Sequence, residues 1–337
     1  MNIYCIRPKG FNIGNDVIFL AMRHFIEKAL GFTPNLIELP ATSKYDGDRA
    51  GLTAKTIYEI NQFGNGVIIG GGNLYENNEL DVDLNALDKL SVPLFLYSLS
   101  CGRVYNKKGK LRTRTDTMPD NKIVALRDKA FLSTARDEAT QKYIDRNILV
   151  GCPTIFLNKI YPAKGQETDI TLLSIRNPSL MNIPVSKKNE VVDCIKEIIK
   201  TYKNVKILCH DYRDIPFAES LDAEYIYTEN ALTFLAILKS CKLNISFRLH
   251  STLPCLSYDK PVINISYDER ALSLMNTIGF KEWDINIMNT DDLIGIIQNR
   301  VLNFDRLENL KNNNQPLWDD YYNITLKLFK SFTKEMV

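Results

Sequence analysis

The stretch SFRLHSTLPCL, residues 246–256, places an arginine and a histidine two positions apart at the end of an apolar run. Side chains two residues apart in an extended chain leave on the same face, so Arg248 and His250 would point the same way. Ser251 and Thr252 follow and can cap a helix, whose N-terminus adds free N–H groups and partial positive charge. The pattern predicts an anion-binding site that contains a titratable group. A capped turn with incidental charges is the alternative.

Two further basic side chains come directly after predicted strands. Arg176 ends the segment DITLLSIR, residues 169–176, and His210 ends VKILCH, residues 205–210. Since an unpaired buried cation is costly, an arginine that leaves a buried strand must reach solvent or an anion. We therefore expect Arg176 to bind an anion in a cleft and His210 to be a second histidine there. The third histidine, His24, lies on an apolar helix face and is expected in the core or at its edge.

Small and polar residues follow the strands of the first half. The loop after the first strand contains Asn12, Gly14, Asn15 and Asp16. Such residues fit a tight turn and a helix cap, and they could also direct backbone N–H groups at an anion. Both interpretations stay open at this point.

A glycine-rich loop follows the third predicted strand and contains Gly71, Gly72 and Asn73. Consecutive glycines allow a close backbone approach to a ligand, although the Lys-Ser/Thr pair of a P-loop is absent. Ser100 ends the next predicted strand. It either lines a cleft or is part of an ordinary connection from the strand to a loop. The dipeptides beginning at Arg127 and Arg136 are both Arg-Asp, and we interpret them as local ion pairs or helix caps.

The elements that must position these residues are short apolar runs alternating with amphipathic segments. Runs of four to eight apolar residues bounded by turn residues are typical of parallel strands buried on both faces. Predicted strands cover residues 2–6, 35–39, 66–70, 92–100, 122–126, 147–151, 169–176, 205–210, 224–228, 243–247 and 261–266. Predicted helices include residues 137–145, 186–203, 230–242, 251–258, 291–312 and 316–337. Two successive β/α series predict an α/β fold of two Rossmann-like, doubly wound domains that face each other across a cleft.

The predicted organisation is an N-terminal domain (1–157), a polar linker (158–168), a C-terminal domain (169–312) and a C-terminal helix (313–337). The length of 337 residues suits two domains of roughly 150 residues each. The aromatic residues of the last segment recur at helical spacing. That helix packs back across a domain, or it forms a dimer seam.

The bulk composition excludes several classes of protein. A net charge of +2 does not indicate nucleic-acid binding, and no apolar stretch is long enough to cross a membrane. The seven scattered cysteines are typical of reduced thiols in a cytoplasmic protein. No His/Cys spacing indicates a metal site, so no metal is expected.

Ordered motifs over about residues 12–280 resemble the polysaccharide pyruvyl transferase family: NIGNDVI, IIGGGNLY, SLSCG, STARDEAT, VGCP, and RLHS followed by KPVINISYDER. The resemblance implies a glycosyltransferase-B-like fold and an enzyme that moves pyruvate from phosphoenolpyruvate onto two hydroxyls of one sugar, as a cyclic ketal. Arg248, Leu249 and His250 would then bind phosphoenolpyruvate, with His250 catalytic. Arg176, His210 and Ser251 are the further donor-side candidates.

On the same resemblance, loops of the N-terminal domain would face the acceptor sugar. The candidates are Asn12, Gly14, Asn15, Asp16, Gly71, Gly72, Asn73 and Ser100. The reaction needs phosphoenolpyruvate as co-substrate, with no redox cofactor and no obligatory metal. Whether His250 acts as base or acid stays open, as do the acceptor, which is an oligosaccharide or a lipid-linked glycan, and the oligomeric state.

Two other functions remain alternatives at this stage. A nucleotide-sugar-dependent glycosyltransferase on the same fold would need an acidic residue for a ribose, and Asp268 and Glu269 are candidates. A non-catalytic sugar-binding or assembly protein is the second alternative. A lipid-linked acceptor would place the protein at the inner face of the membrane, held there by residues such as Lys107, Lys108 and Lys110. That basic run is otherwise a solvated loop.

Overall fold

Two six-stranded parallel sheets form the frame of the protein, as the computed structural model shows for the residues it describes, 1–44, 47, 49–162 and 166–336. The strands are β1 (Asn2–Arg7), β2 (Asn35–Pro40), β3 (Gly66–Gly72), β4 (Leu94–Leu99), β5 (Val104–Tyr105), β6 (Leu111–Arg112), β7 (Leu132–Ala135), β8 (Ile148–Leu149), β9 (Thr171–Ile175), β10 (Val205–Cys209), β11 (Tyr225–Tyr227), β12 (Leu243–Ser246), β13 (Val262–Ser266) and β14 (Ile285–Asn286). We call the part that carries β1–β8 the first lobe and the part that carries β9–β14 the second lobe.

Helices cover both faces of each sheet. They are α1 (Ile13–Leu30), α2 (Ala54–Phe63), α3 (Leu84–Leu87), α4 (Asp120–Lys129), α5 (Glu138–Tyr143), α6 (Leu157–Ile160), α7 (Val185–Thr201), α8 (Ile215–Glu219), α9 (Ala231–Ser240), α10 (Leu249–Ser257), α11 (Glu269–Thr277), α12 (Leu293–Val301) and α13 (Phe304–Glu335). Because of this cover, β4 (LFLYSL) and β9 (TLLSI) are buried at every position, which explains why both are continuous apolar runs.

The strand order determines where a ligand can bind. The first sheet runs β2-β1-β3-β4-β7-β8 and the second β11-β10-β9-β12-β13-β14, while β5 and β6 form a separate antiparallel hairpin. In each sheet the strand order reverses at the first strand of the lobe. The chain adds strands on one side of β1 or β9 first (β2, or β10 and β11) and then continues on the other side (β3, or β12). The carboxyl ends of such strands are the switch points at which doubly wound sheets bind ligands. Residues after β1 and β9 therefore face a crevice.

One predicted strand is wrong. Residues 122–126 lie inside α4, where Ile123 and Leu126 are buried and Val124 between them is 42% exposed. A spacing of three between buried residues is the pattern of a helix with one apolar face. The strand of this region is β7, which follows α4 in the chain.

The end of the chain also differs from the prediction. In place of helices over 291–312 and 316–337, α12 is short and α13 continues through Pro316. Proline removes a helical hydrogen bond, so tertiary packing must compensate for the loss. Phe329 of α13 packs on Phe25 and Phe95 of the first lobe, with ring centroids 5.8 and 5.1 Å apart.

The same helix contacts the second lobe. The indole of Trp318 stacks on Phe280 at 5.5 Å and donates a hydrogen bond of 3.0 Å to the carbonyl of Ile278. Helix α13 therefore joins the two lobes and holds their relative positions. The predicted domain boundaries stay predictions; α6 crosses the one at residue 157, and residues 163–165 of the predicted linker lie outside the described residues.

Within the part of the chain that the structure describes, no helix is both long enough and apolar enough to cross a membrane. The run of lysines at 107, 108 and 110 lies on the turn between β5 and β6.

Candidate functional site

A cavity of about 220 Å³ lies between the lobes at the two switch points. We call it the arginine cleft, after the basic side chains in its wall: Arg114, Arg136, Arg176, Arg213, Arg248, Arg270, His210 and His250. Asparagines form much of the remaining wall: Asn12, Asn15, Asn73, Asn77, Asn182 and Asn264. The net positive potential of such a pocket attracts a small anion.

Arg248 is held rigidly at the start of α10. Its Nε donates to the carbonyl of Ile175 at 2.8 Å, and its Nη2 forms an ion pair with the buried carboxylate of Asp214. A guanidinium that is anchored through two of its nitrogens is already in position when a ligand arrives. This arrangement leaves one edge of the guanidinium, including Nη1, for the cleft.

Arg176 lies next to Arg248 in the same wall. Its Nη1 is 3.7 Å from Oδ2 of Asp211, a carboxylate that already pairs with Arg213. Burial lowers the pKa of Arg176, and the charge of Arg248 lowers it further. Two neighbouring cations with incomplete compensation would both gain from a shared anion.

His250 lies in the first turn of α10 and faces the first lobe. A Cβ placed on Gly14 would be 2.4 Å from Nδ1 of His250, so only glycine fits at this contact. Nε2 is buried and has no hydrogen-bond partner among the described residues, which leaves that atom for a substrate. Burial lowers the pKa of His250 to about 3, with further contributions from the charges of Arg136, Arg248 and Arg270. The imidazole is therefore neutral near pH 7.

His210 is also in the wall of the cleft, where contacts of its ring and its backbone hold it in place. Its ring packs edge-on against Phe234 at 4.8 Å, and its backbone carbonyl accepts a 3.0 Å hydrogen bond from the N–H of Ile13. Burial lowers its pKa well below the usual range, and Arg248, His250 and Arg176 add to the effect. The contact to Ile13 makes this residue part of the joint between the lobes.

The start of α1 closes the cleft from the first lobe. Asn12 caps α1 by accepting from the N–H of Gly14 and forms an isolated antiparallel bridge with Asp211. Phe11 packs on Tyr212, with ring centroids 4.5 Å apart. Residues 11–14 therefore dock on residues 210–212, and the cleft exists only while the lobes are joined.

Arg136 is the main cleft residue that the sequence analysis missed. It is 2% exposed and lines the cavity, yet its Nε finds no hydrogen-bond partner among the described residues, and Asp137 is 3.9 Å away. The expected local ion pair is thus long, because Asp137 instead caps α5. A buried guanidinium with an unused donor is costly unless an anion binds to it.

A signal for Arg136 was present in the sequence. It comes directly after β7, at the same edge of its sheet as the ligand-facing residues that follow β1. The strand wrongly assigned to residues 122–126 concealed this position, because Arg136 then followed no predicted strand.

Several predicted site residues lie outside the cleft. The hydroxyl of Ser251 bonds to Ser174 and Asn244 in the core of the second lobe, and Asp16 forms an ion pair with Arg7 at 2.8 Å. Ser100 is fully buried within the first lobe. None of these three residues lines the arginine cleft, and the roles predicted for them stay predictions.

Gly71 has a packing role, and neither Gly71 nor Gly72 lines the arginine cleft. A Cβ on Gly71 would be 2.0 Å from Cγ2 of Ile18 on α1, whereas a Cβ on Gly72 would be 3.9 Å from Cδ1 of Ile18, and both glycines have positive φ. The close approach of α1 therefore requires glycine at position 71, and the ligand contact predicted for both residues stays a prediction. Of this loop, Asn73 is the predicted residue that reaches the cleft.

Comparison with known sequences places the protein in a family. A sequence model of the polysaccharide pyruvyl transferase family matches residues 12–269, a span that includes Arg136, Arg176, Arg248 and His250. The chain belongs to this family. It is accordingly a transferase, and the family name indicates a sugar acceptor. A search of curated protein sequences finds no significant match.

Solved structures with a similar fold include proteins bound to UDP or UDP-GlcNAc. S. aureus MnaA, solved with UDP, has a TM-score of 0.57 at 12% identity over 92% of this chain and 90% of that one. The UDP-GlcNAc 2-epimerase of Neisseria meningitidis, bound to UDP-GlcNAc, has a TM-score of 0.55 at 11% identity over 98% and 100%. The UDP-GlcNAc 2-epimerase of Methanocaldococcus jannaschii, with UDP-GlcNAc and UDP, has a TM-score of 0.53 at 13% identity over 89% and 92%.

These likenesses confirm the predicted fold class, two Rossmann-like domains in a glycosyltransferase-B-like arrangement. At such identities the fold carries no information about the substrate.

Proposed function

We propose that the protein transfers pyruvate from phosphoenolpyruvate onto two hydroxyls of a sugar in a cell-surface polysaccharide or its lipid-linked precursor. The observation that carries the proposal is the arginine cleft, whose wall contains Arg136, Arg176 and Arg248 together with a neutral His250. The family supports pyruvyl transfer in general, and the chemistry of the cleft supports this donor.

Phosphoenolpyruvate suits this cleft in charge and size. It has a phosphate and a carboxylate, about three negative charges near neutrality. Arginines can bind each oxyanion with two parallel hydrogen bonds, which lysine cannot do. A close charge pair contributes about 4 kcal/mol at an effective dielectric of about 20, before desolvation. The unused Nε of Arg136 and the exposed edge of Arg248 would each receive a partner.

The first step we propose is addition across the C2=C3 bond of the donor. The oxygen of one acceptor hydroxyl bonds to C2 while its proton moves to Nε2 of His250. The imidazolium then returns that proton to C3, which takes up the electron pair of the double bond and becomes a methyl group. A neutral imidazole is the form that can begin this step, and the bound anion stabilises the imidazolium that follows.

The second step closes the ketal. The oxygen of the neighbouring hydroxyl bonds to C2, the bond between C2 and the phosphate oxygen breaks, and the hydroxyl proton leaves with the phosphate. The products are a cyclic ketal and inorganic phosphate, and the imidazole is regenerated neutral. Phosphoenolpyruvate is the co-substrate, and these two reaction steps use no further cofactor.

The first-lobe wall suits the acceptor. Asn12, Asn15 and Asn73 present amides that can both donate to and accept from sugar hydroxyls, and they line the cavity opposite Arg248. This keeps three of the predicted acceptor residues in that role. Gly14 would act differently, by allowing α1 to approach His250.

The test is to incubate the protein with phosphoenolpyruvate and a panel of glycosides that carry neighbouring free hydroxyls. We expect acceptor-dependent release of inorganic phosphate and a product with the added mass of one pyruvyl ketal. Phosphate release without a ketal, or none with any acceptor, would contradict the proposal.

The same assay separates the nucleotide-sugar alternative, which would release a nucleotide. The solved structures of similar fold contain UDP, which keeps this alternative in the test. The carboxylates suggested for a ribose are already in use, because Asp268 caps α11 and pairs with Arg270, while Glu269 binds Arg103. This arrangement favours the pyruvyl donor.

A lipid-linked acceptor would bring the protein to the inner face of a membrane. Lys107, Lys108 and Lys110 on the β5–β6 turn are then the candidates to contact anionic headgroups. Flotation with phosphatidylglycerol vesicles tests this, and we expect binding that is lost at high salt and in a triple Lys→Gln variant.

A further inference from the structure

A second and larger cavity of about 970 Å³ lies between the lobes, beside the arginine cleft. Its walls come from the β5–β6 hairpin and α5 of the first lobe, and from α11 and the segment 281–300 of the second lobe. We call it the second cavity. It lies at the carboxyl ends of β13 and β14, the next strand ends along the same crevice.

Only a thin partition separates the two cavities. Arg136 lines the arginine cleft and Glu138 the second cavity; likewise Arg270 lines the first and Glu269 the second. Arg136 and Glu138 are two positions apart and Glu269 and Arg270 are adjacent, so the same two chain segments contribute to the walls of both cavities. The partition is completed by Arg103, whose backbone carbonyl accepts from the N–H of Glu269 and whose Nε donates to its carboxylate at 2.9 Å.

The two volumes suit different ligands. Small-molecule sites usually measure about 300–1,000 Å³, so the second cavity is at the upper end and the arginine cleft is below the range. A compact three-carbon donor and part of one sugar would fill the smaller space. The larger space exceeds what that reaction needs and suits an extended molecule.

Charges of both signs line the second cavity. Two of its basic side chains have acidic neighbours, since Arg103 is paired with Glu269 and Lys142 is 3.9 Å from Glu138, while Lys281 and Arg300 also lie in the wall. Burial raises the pKa of Asp284 to about 7, so this carboxyl is only partly ionised near neutrality. A wall of mixed charges concentrates an anion less than the arginine-rich wall next to it.

Polar and apolar groups alternate around this cavity. Tyr143 is 46% exposed with its hydroxyl held by Asp120 at 2.6 Å, so the ring presents a fixed face, and Leu272 adds a further apolar surface. Asn276, one helical turn after Leu272 on α11, and Asn289 contribute amides to the wall. Flat apolar surfaces combined with amides match a neutral polyhydroxylated chain, whose rings have C–H faces and hydroxyl rims.

We infer that the second cavity binds the glycan chain of the acceptor beyond the sugar that receives pyruvate. The inference rests on the proposed function and narrows its substrate to an oligosaccharide or longer glycan. The sugar that reacts lies at the partition near His250, and the following sugars lie over Tyr143 and Leu272.

The experiment compares the acceptor that is active in the phosphate-release assay, as a methyl monosaccharide, with its di- and trisaccharide. For the wild type we expect kcat/KM to rise about ten-fold from mono- to trisaccharide, the effect of one added ring contact with its hydrogen bonds. Tyr143→Ala removes the ring, and Asn289→Trp fills the cavity from an exposed position. Both should reduce this ratio to below about two-fold.

Tyr58→Ala is the matched control, since Tyr58 is an exposed tyrosine on α2 that lies outside the cavity wall. It should keep the full ratio. An equal kcat/KM for all chain lengths in the wild type, or an unchanged ratio in both cavity variants, would overturn the inference. The proposed function fails differently, with no phosphate released from the wild type by any acceptor.

If the wild type releases no phosphate, saturation-transfer NMR can still test whether the second cavity binds a glycan. The ligands are cellotriose, maltotriose and laminaritriose at millimolar concentration. Transfer that is seen with the wild type and lost in Asn289→Trp supports a glycan site. No transfer from any of the three, or equal transfer in both proteins, rejects it.

Discussion

The two walls of the arginine cleft prepare for substrate in different ways. In the second lobe Arg248 is fixed by Asp214 and the carbonyl of Ile175. In the first lobe four asparagines contribute amides to the wall, and the deeply buried cation Arg136 has an unused donor. The difference suggests a division of labour, with preorganised charge for the donor in one lobe and adaptable hydrogen bonding for the acceptor in the other. Arg136 is the exception, since it would bind the donor from the acceptor side.

The largest effect should come from the imidazole of the second-lobe wall. His250→Asn removes the group that accepts the hydroxyl proton, so kcat should fall by about 100-fold or more, while the Kd for phosphoenolpyruvate changes by less than about three-fold. Phosphate release and calorimetric titration measure the two quantities. His24→Gln should leave both as they are, because His24 lies outside the cleft wall, on the side of α1 next to Tyr322.

If His250→Asn keeps the full turnover of the wild type, His250 does not transfer a proton in the reaction. The non-catalytic alternative predicts instead that sugar binding persists in wild type and variant alike, with no turnover in either.

The second prediction tests the exception in the first-lobe wall. Arg136→Gln removes a buried cation, and one charge-assisted hydrogen bond contributes about 1.5–3 kcal/mol, so the Kd for phosphoenolpyruvate should weaken by about 10- to 100-fold. Arg127→Gln is the matched control, because Arg127 also begins an Arg-Asp dipeptide but lies outside the cleft wall and pairs with Asp128 and Asp145. Equal affinity in the two variants would return Arg136 to a structural role.

The third prediction concerns the contact between the walls. Gly14→Ala places a methyl group 2.4 Å from Nδ1 of His250, so α1 or the imidazole must shift, and kcat/KM should fall by about ten-fold. Gly31→Ala at the other end of α1 meets open space but has a φ of +77°. It should lower the free energy of unfolding by about 1 kcal/mol with little change in kcat/KM. Wild-type kinetics in the Gly14 variant would show that the lobes need not close this tightly.

The smallest expected effect is a change in the pKa of His250 when phosphoenolpyruvate binds. Because burial and three arginines lower the pKa of His250 to about 3, its imidazole should stay neutral from pH 8 to pH 5 in the free protein. Bound phosphoenolpyruvate should raise this pKa, since its negative charge offsets the arginines. With three histidines in the chain, ¹⁵N-histidine spectra of wild type and His250→Asn can follow this ring alone.

The same shift has a consequence for stability. The unfolded chain binds a proton at His250 below about pH 6.5, whereas the folded protein does so only near pH 3. Stability should therefore decrease as pH falls through this window, and His250→Asn should lessen the loss in urea titrations. An identical pH dependence in the variant would contradict the assigned shift.

Several features were predictable because they are local. The alternation of apolar runs and amphipathic segments predicted both sheets, and the positions of Arg176, His210 and Arg248 directly after strands predicted their place in one cleft. The physical reason is that a parallel strand buried on both faces must be apolar throughout, so the first charged residue after it marks the sheet edge. Where a strand was misplaced, at residues 122–126, this reasoning failed for Arg136 as well.

Other features depend on distant parts of the chain meeting. The need for glycine at position 71 becomes visible only when α1 is seen to pack against it, and Pro316 resembles a helix end until the packing of Phe329 and Trp318 is known. The cleft and the second cavity likewise form between segments more than a hundred residues apart. By itself the sequence determined the strands, the strand ends and the Arg248–His250 pair. Only the tertiary structure decided which of those ends meet, because contacts between lobes depend on shape complementarity that no local pattern encodes.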